Sequence, residues 1–171
     1  MIKKINFQHG LSLIEVLIVI TIFAVLGILV TQSVALTLIG SRKSESIVRA
    51  RENLDYSLNI IERGIRGASA VSPCSDNDGT SVYYLDQSGN SSSFSCEGTL
   101  GSIGSYIASG SAAVHLTSDA VKIMACVFHC YPATGTNPTY VTVDLTMREA
   151  STSGAQGANV TGSTQIRLRN Y

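Results

Sequence analysis

Residues 10–40 read GLSLIEVLIVITIFAVLGILVTQSVALTLIG, and two residues in this stretch, Gly10 and Glu15, decide how the rest of the chain is read. From Leu11 to Gly40 the only charged side chain is Glu15. A bilayer core is about 30 Å thick and takes about twenty apolar helical residues to cross, so this run of about thirty is long enough to span. Lys3 and Lys4 precede it, and the positive-inside bias places that end in the cytoplasm. An ordinary secretory signal has a shorter apolar core with a small-residue cleavage site after it. Here Gly10 comes before the apolar run, which marks a retained transmembrane helix over residues 11–40 behind a leader of residues 1–10.

Glu15 is out of place in such a helix. An acid at the bilayer centre costs about 2.5–3.5 kcal/mol on insertion scales, and less near the end of the span, where Glu15 lies. It still calls for a partner. Cleavage after Gly10 frees an amine on Leu11, and an amine and a carboxylate at a low-dielectric helix end neutralise one another when subunits stack with a stagger. The competing reading is a stray acid at headgroup level.

Beyond Gly40 charges appear, and apolar residues recur at Ile47, Ala50, Leu54, Leu58, Ile61, Ile65 and Ala68. Steps of three and four residues mark one face of an α-helix. Ser72-Pro73 sets its expected end near Val71, because proline disfavours helix at the residue before it. Residues 41–71 are thus an amphipathic half-helix. Joined to the apolar run it makes a helix of about sixty residues, about 90 Å long, with Gly40 as the expected weak point.

Residues 72–171 read as a β-rich head. Expected strands are 81–85, 114–117, 120–131, 140–147 and 165–169, the last at an edge, with a turn over 86–92 and a hairpin loop over 132–138. The Ser/Gly tracts at 98–112 and 150–164 read as long loops, and GTLGSIGS at 98–105 as a flexible one. The expected fold class is α+β: a long N-terminal helix whose second half packs on an antiparallel sheet.

Charge and chemistry narrow the function. The chain has 12 basic and 12 acidic residues; without the leader lysines the balance is −2. The head carries four basic residues and seven acidic ones. Such a surface lacks the clustered cations that nucleic-acid binding needs. No P-loop, dinucleotide fingerprint or nucleophile motif is present, so the chain reads as a non-enzyme with no cofactor.

The string Gly10 to Ile20 resembles the class III signal of type IV pilins and of the pseudopilins of type II secretion. The resemblance implies a prepilin peptidase cutting between Gly10 and Leu11, N-methylation of Leu11, and Glu15, the fifth residue after the cut, promoting docking into a filament. It implies further partners: other pilin or pseudopilin subunits through the N-terminal helix, an inner-membrane assembly platform, and membrane lipid. Two features depart from the family pattern. Leu11 stands where phenylalanine is commonest, and the span lacks the helix-breaking proline usual in major pilins, holding only Gly27. The strings NLDYSLNIIERGIRGAS (53–69), LTSDAVKIMACVF (116–128), YVTVDLTM (140–147) and QIRLRNY (165–171) are similar to J-type and W-type minor subunits. The implied function is that of a minor pilin or pseudopilin that primes or caps a filament. The alternatives are a membrane-anchored adhesion or DNA-binding module displayed on a filament, and a plain bitopic membrane protein.

Cys74, Cys96, Cys126 and Cys130 all lie in the head, an even set suited to disulfides in an oxidising compartment. Three pairings are possible. Four residues of regular strand span about 13 Å, too far for a bridge, so either the chain turns between Cys126 and Cys130 or each pairs elsewhere. The favoured pairing is Cys74–Cys96 with Cys126–Cys130. Cys126, His129, Cys130 and His115 also admit a zinc reading, and Asp76-Asn-Asp78-Gly79 resembles the start of a calcium loop but lacks its distal acid.

Overall fold

The structure, a computed structural model, describes residues 12–74, 76–110, 112–135, 138–151 and 157–168. One helix, α1, runs over Leu13–Arg66. The chain divides into two compact units, Met1–Ser41 and Arg42–Tyr171.

In the first unit every described residue is exposed. Its described apolar side chains are therefore open to their surroundings. The hydroxyls among them are satisfied locally. Thr31 Oγ1 donates to the Gly27 carbonyl (2.8 Å), Ser33 Oγ to Leu29 (3.0 Å), Thr37 Oγ1 to Ser33 (2.9 Å) and Thr21 Oγ1 to Ile18 (2.8 Å). A polar group that bonds back to its own helix can enter a medium without water.

The second unit is a closed α+β domain. In this part of α1 the residues Ser46, Ala50, Leu54, Ser57, Ile61 and Ile65 are buried. The stripe follows the expected helical face, with Ile47 and Leu58 at its margin and two serines on its centre line. Ser57 is tolerated there because its hydroxyl donates to the Asn53 carbonyl (2.7 Å). The helix stops at Arg66 and not at Val71. Gly67 and Ala68 close the last turn on the Arg63 and Ile65 carbonyls, and then the Ser69 N–H donates to Leu85. The chain leaves the helix because Ala70–Val71 pairs with Leu85 and Tyr84 as a strand, β1.

Among the described residues eight further strands follow: β2 (Asp78–Gly79), β3 (Ser81–Leu85), β4 (Ser91–Glu97), β5 (Tyr106–Ser109), β6 (Val114–His115), β7 (Val121–Tyr131), β8 (Tyr140–Glu149) and β9 (Val160–Arg167). They form two antiparallel sheets, ordered β1-β3-β4-β5-β6 and β2-β7-β8-β9. The core lies between α1 and these sheets, from Leu54, Ile61 and Ile65 to Phe94, Ile107, Phe128, Val143, Leu145 and Ile166. Two glycines let helix and sheets approach. A Cβ on Gly64 would lie 2.9 Å from the Phe94 ring, and one on Gly162 would lie 2.8 Å from Leu58.

The hairpin of β7 and β8 matches expectation, but β7 carries a bulge between Ile123 and Ala125. Its inward face therefore changes phase, from Val121 and Ile123 to Cys126, Phe128 and Cys130. The Ser-rich β4 begins inside the turn expected at 86–92, β5 lies inside the loop expected at 98–112, and β9 starts at Val160, inside the loop expected at 150–164 and ahead of the edge strand expected at 165–169. The loop at 98–105 is pinned to β7: the Ser105 hydroxyl accepts the Ile123 N–H (2.9 Å), and the Gly101 N–H donates to the Ile123 carbonyl (2.7 Å). Gly98 opens it at φ +81°, with backbone 2.9 Å from where a Cβ would sit, which excludes any other residue.

The disulfides correct the favoured pairing. Cys74 bonds Cys130 (Cα–Cα 5.2 Å) and Cys96 bonds Cys126 (6.5 Å). From Cys126 to Cys130 β7 runs as regular strand, so the two cysteines share its inner face at strand spacing and cannot reach each other. Each is met by a cysteine from elsewhere. The Cys96–Cys126 bridge joins β4 of the first sheet to β7 of the second. The shorter loop is nested inside the longer, with separations of 30 and 56 residues.

Candidate functional site

The N-terminal end of α1 is built around Ser12 and Glu15. The Ser12 carbonyl accepts the N–H of Glu15 (2.9 Å) and of Val16 (3.2 Å), which starts the helix at Leu13. Ser12 stands in the cap position with Glu15 three residues on, the serine-x-x-glutamate spacing of a capping box. An acid in the first turn faces the partial positive charge of the helix N-terminus, which favours a carboxylate there. Glu15 is exposed. Gly10 and Leu11, the expected cleavage pair and methylation site, lie outside the described residues.

Behind Glu15, α1 presents a membrane-length apolar stretch near the N-terminus, with mean hydropathy 3.0 over its best window. Leu13, Ile14, Leu17, Ile18, Phe23 and Leu36 are all exposed. Such a surface calls for an apolar cover, lipid or other apolar helices.

The residues read as possible metal ligands are arranged otherwise. Cys126 and Cys130 are consumed in disulfides, which removes the zinc reading. His115 lies on β6 and stacks on Tyr106 (3.5 Å between ring centroids). Asp76 and Asp78, read as a calcium loop, turn instead to His129. Its Nδ1 is 2.5 Å from Asp78 Oδ1 and its Nε2 is 2.8 Å from Asp76 Oδ1. Hydrogen bonds given to Asp76 and then to Asp78 hold the imidazole above its ordinary pKa, against a smaller opposing effect of desolvation. Among the described residues, no group of three or more His, Cys, Asp or Glu side chains is placed to hold a metal ion. This triad was invisible to motif reading, since β2 pairs with β7 across more than fifty residues of sequence.

The comparison with known families falls on the same end of the chain as Glu15. The prokaryotic N-terminal methylation motif matches residues 5–31. The motif marks this N-terminal segment as type IV pilin-like. The match covers Gly10, Leu11, Glu15 and most of the apolar stretch, and stops short of the head. The pilin-like architecture, one long N-terminal helix on antiparallel sheets, agrees with it. A motif of this kind implies processing by a prepilin peptidase, assembly with pilin-type subunits, and a membrane-anchored, pilus-associated place for the chain that carries it. No curated protein and no solved structure matches the chain.

Proposed function

We propose that this chain is a minor subunit of a pilus-like filament, a minor pilin or minor pseudopilin of the J-type or W-type kind. In this reading a prepilin peptidase cuts between Gly10 and Leu11, and Leu11 is N-methylated. The subunit waits in the cytoplasmic membrane as a single-pass protein, N-terminus inside and head outside. At an inner-membrane assembly platform its helix packs against the helices of other subunits. The freed amine of one chain and the Glu15 carboxylate of another neutralise each other in a dry setting, which fixes their stagger. The subunit then primes or caps the filament.

One observation carries the reading. The methylation motif falls on the segment of α1 whose described apolar side chains are all exposed. The absence of proline from that segment supports a minor subunit over the bulk fibre subunit.

The test is processing and incorporation in cells. Gly10→Ala should accumulate a full-length precursor; normal cleavage of that variant overturns the reading. Glu15→Val should insert in the membrane and be cleaved yet be missing from sheared filaments. Mass spectrometry of the mature N-terminus should find a methylated Leu11.

A further inference from the structure

His129 sits on the outward face of β7, between two carboxylates that come from a different part of the chain. Both of its ring nitrogens face carboxylate oxygens. A carboxylate only accepts hydrogen bonds, and a neutral imidazole has a single N–H to give. Both bonds exist together only when the ring is the imidazolium. The described geometry is therefore that of a protonated clasp.

The segment it holds has few other ties. Residues 76–79 cross from the first sheet to the second and form only the two-residue edge strand β2. The Cys74–Cys130 bridge fixes one end of the crossing, and the Cys96 N–H bound to the Thr80 carbonyl (2.9 Å) fixes the other. Between these anchors the register of Asp78 and Gly79 against His129 and Phe128 is a short ladder. A cleft of about 170 Å³ lies under the same segment, lined by Pro73, Asp78, Tyr83 and Phe128 among others.

We propose that His129 is a proton-operated clasp that locks residues 76–79 onto β7 when charged and releases them when neutral. Loss of the proton leaves one aspartate facing a lone pair in place of an N–H, so that side repels. The other groups around the ring do not replace the lost bond. Tyr131 stacks on it (4.0 Å) and continues to Tyr140 (4.4 Å). Thr142 lies opposite on β8, with Asp144 farther along the same face, and Arg167 of β9 pairs beyond Tyr140. An imidazole held above its ordinary value contributes stability that is complete below about pH 6.5 and is lost as pH rises through the raised value. The clasp is closed in acid and opens toward alkaline pH.

The experiment uses the full chain in detergent micelles, with histidine-selective isotope labelling and amide exchange resolved at residues 76–79. His129 should titrate above about 6.5. Protection of residues 76–79, corrected for intrinsic exchange, should be lost across that titration, while β8 keeps its protection. Asp76→Asn and Asp78→Asn should each lower the His129 midpoint, and His129→Gln should make protection at 76–79 independent of pH. A midpoint at or below the ordinary value, or protection at 76–79 that ignores the titration, overturns the proposal. The two aspartate variants carry the test if His129→Gln does not fold.

Discussion

The two halves of α1 obey opposite rules. Leu17 is 56% exposed and Ile61 is 0% exposed, although both are large aliphatic residues in one helix. In the second half the apolar residues form a stripe and the charges lie off it, so one face meets the sheets. In the first half the apolar residues go all the way round. A helix that is apolar on every face is stable only inside something apolar. The difference teaches where each half finds its cover: the second within its own domain, the first outside the chain.

That comparison can be broken by substitution, read by near-UV circular dichroism of the tyrosines in the full chain in detergent, since there is no tryptophan. The largest effect is expected from Ile61→Asp, which buries an unpaired carboxylate; the domain should fail to fold, a loss of more than about 4 kcal/mol. Next comes Ile65→Ala, which should cost about 2–5 kcal/mol through lost burial and a cavity, whereas Leu17→Ala should leave domain stability within about 0.5 kcal/mol. Equal losses at both sites would erase the distinction. Smaller effects sharpen it. Gly64→Ala gains about 1 kcal/mol of helix propensity but drives a methyl into Phe94, where overpacking costs about 1–3 kcal/mol, so the net should be a loss of about 1 kcal/mol. Gly40→Ala meets nothing within 4 Å and should stabilise the helix by up to about 1 kcal/mol, seen as added far-ultraviolet helicity. One substitution in one helix should thus have opposite signs.

The sequence was most legible where one side of an element is buried in a regular way. The stripe from Ala50 to Ile65 and the alternation of Tyr140 to Met147 carry their periods in the residues themselves. The segment SSSFSCE carries no such period. It is a strand because Phe94 enters the core and stacks on Tyr84, and because β3 and β5 supply ladders on both sides. Helix length was overread, since Ala70 and Val71 look helical until β3 claims them. In the candidate site, Glu15 was legible because an acid in an apolar helix needs no tertiary knowledge to look anomalous. The disulfide pairing and the His129 triad were not, because strand pairing and a bulge decide which side chains face each other.

Nesting of the two bridges bears on how the protein is made. On the topology proposed above, the head leaves the cytoplasm N-terminal side first. Cys74 and Cys96 therefore arrive in an oxidising compartment before Cys126 and Cys130. The first two arrivals are not native partners, and a bond between them would leave the last two thiols without theirs. The order of emergence favours a mismatch. Maturation then requires either that oxidation wait until β7 has crossed, or that thiol–disulfide exchange undo the early bond. A host that oxidises quickly and reshuffles poorly should make this subunit badly, however well its finished head is packed.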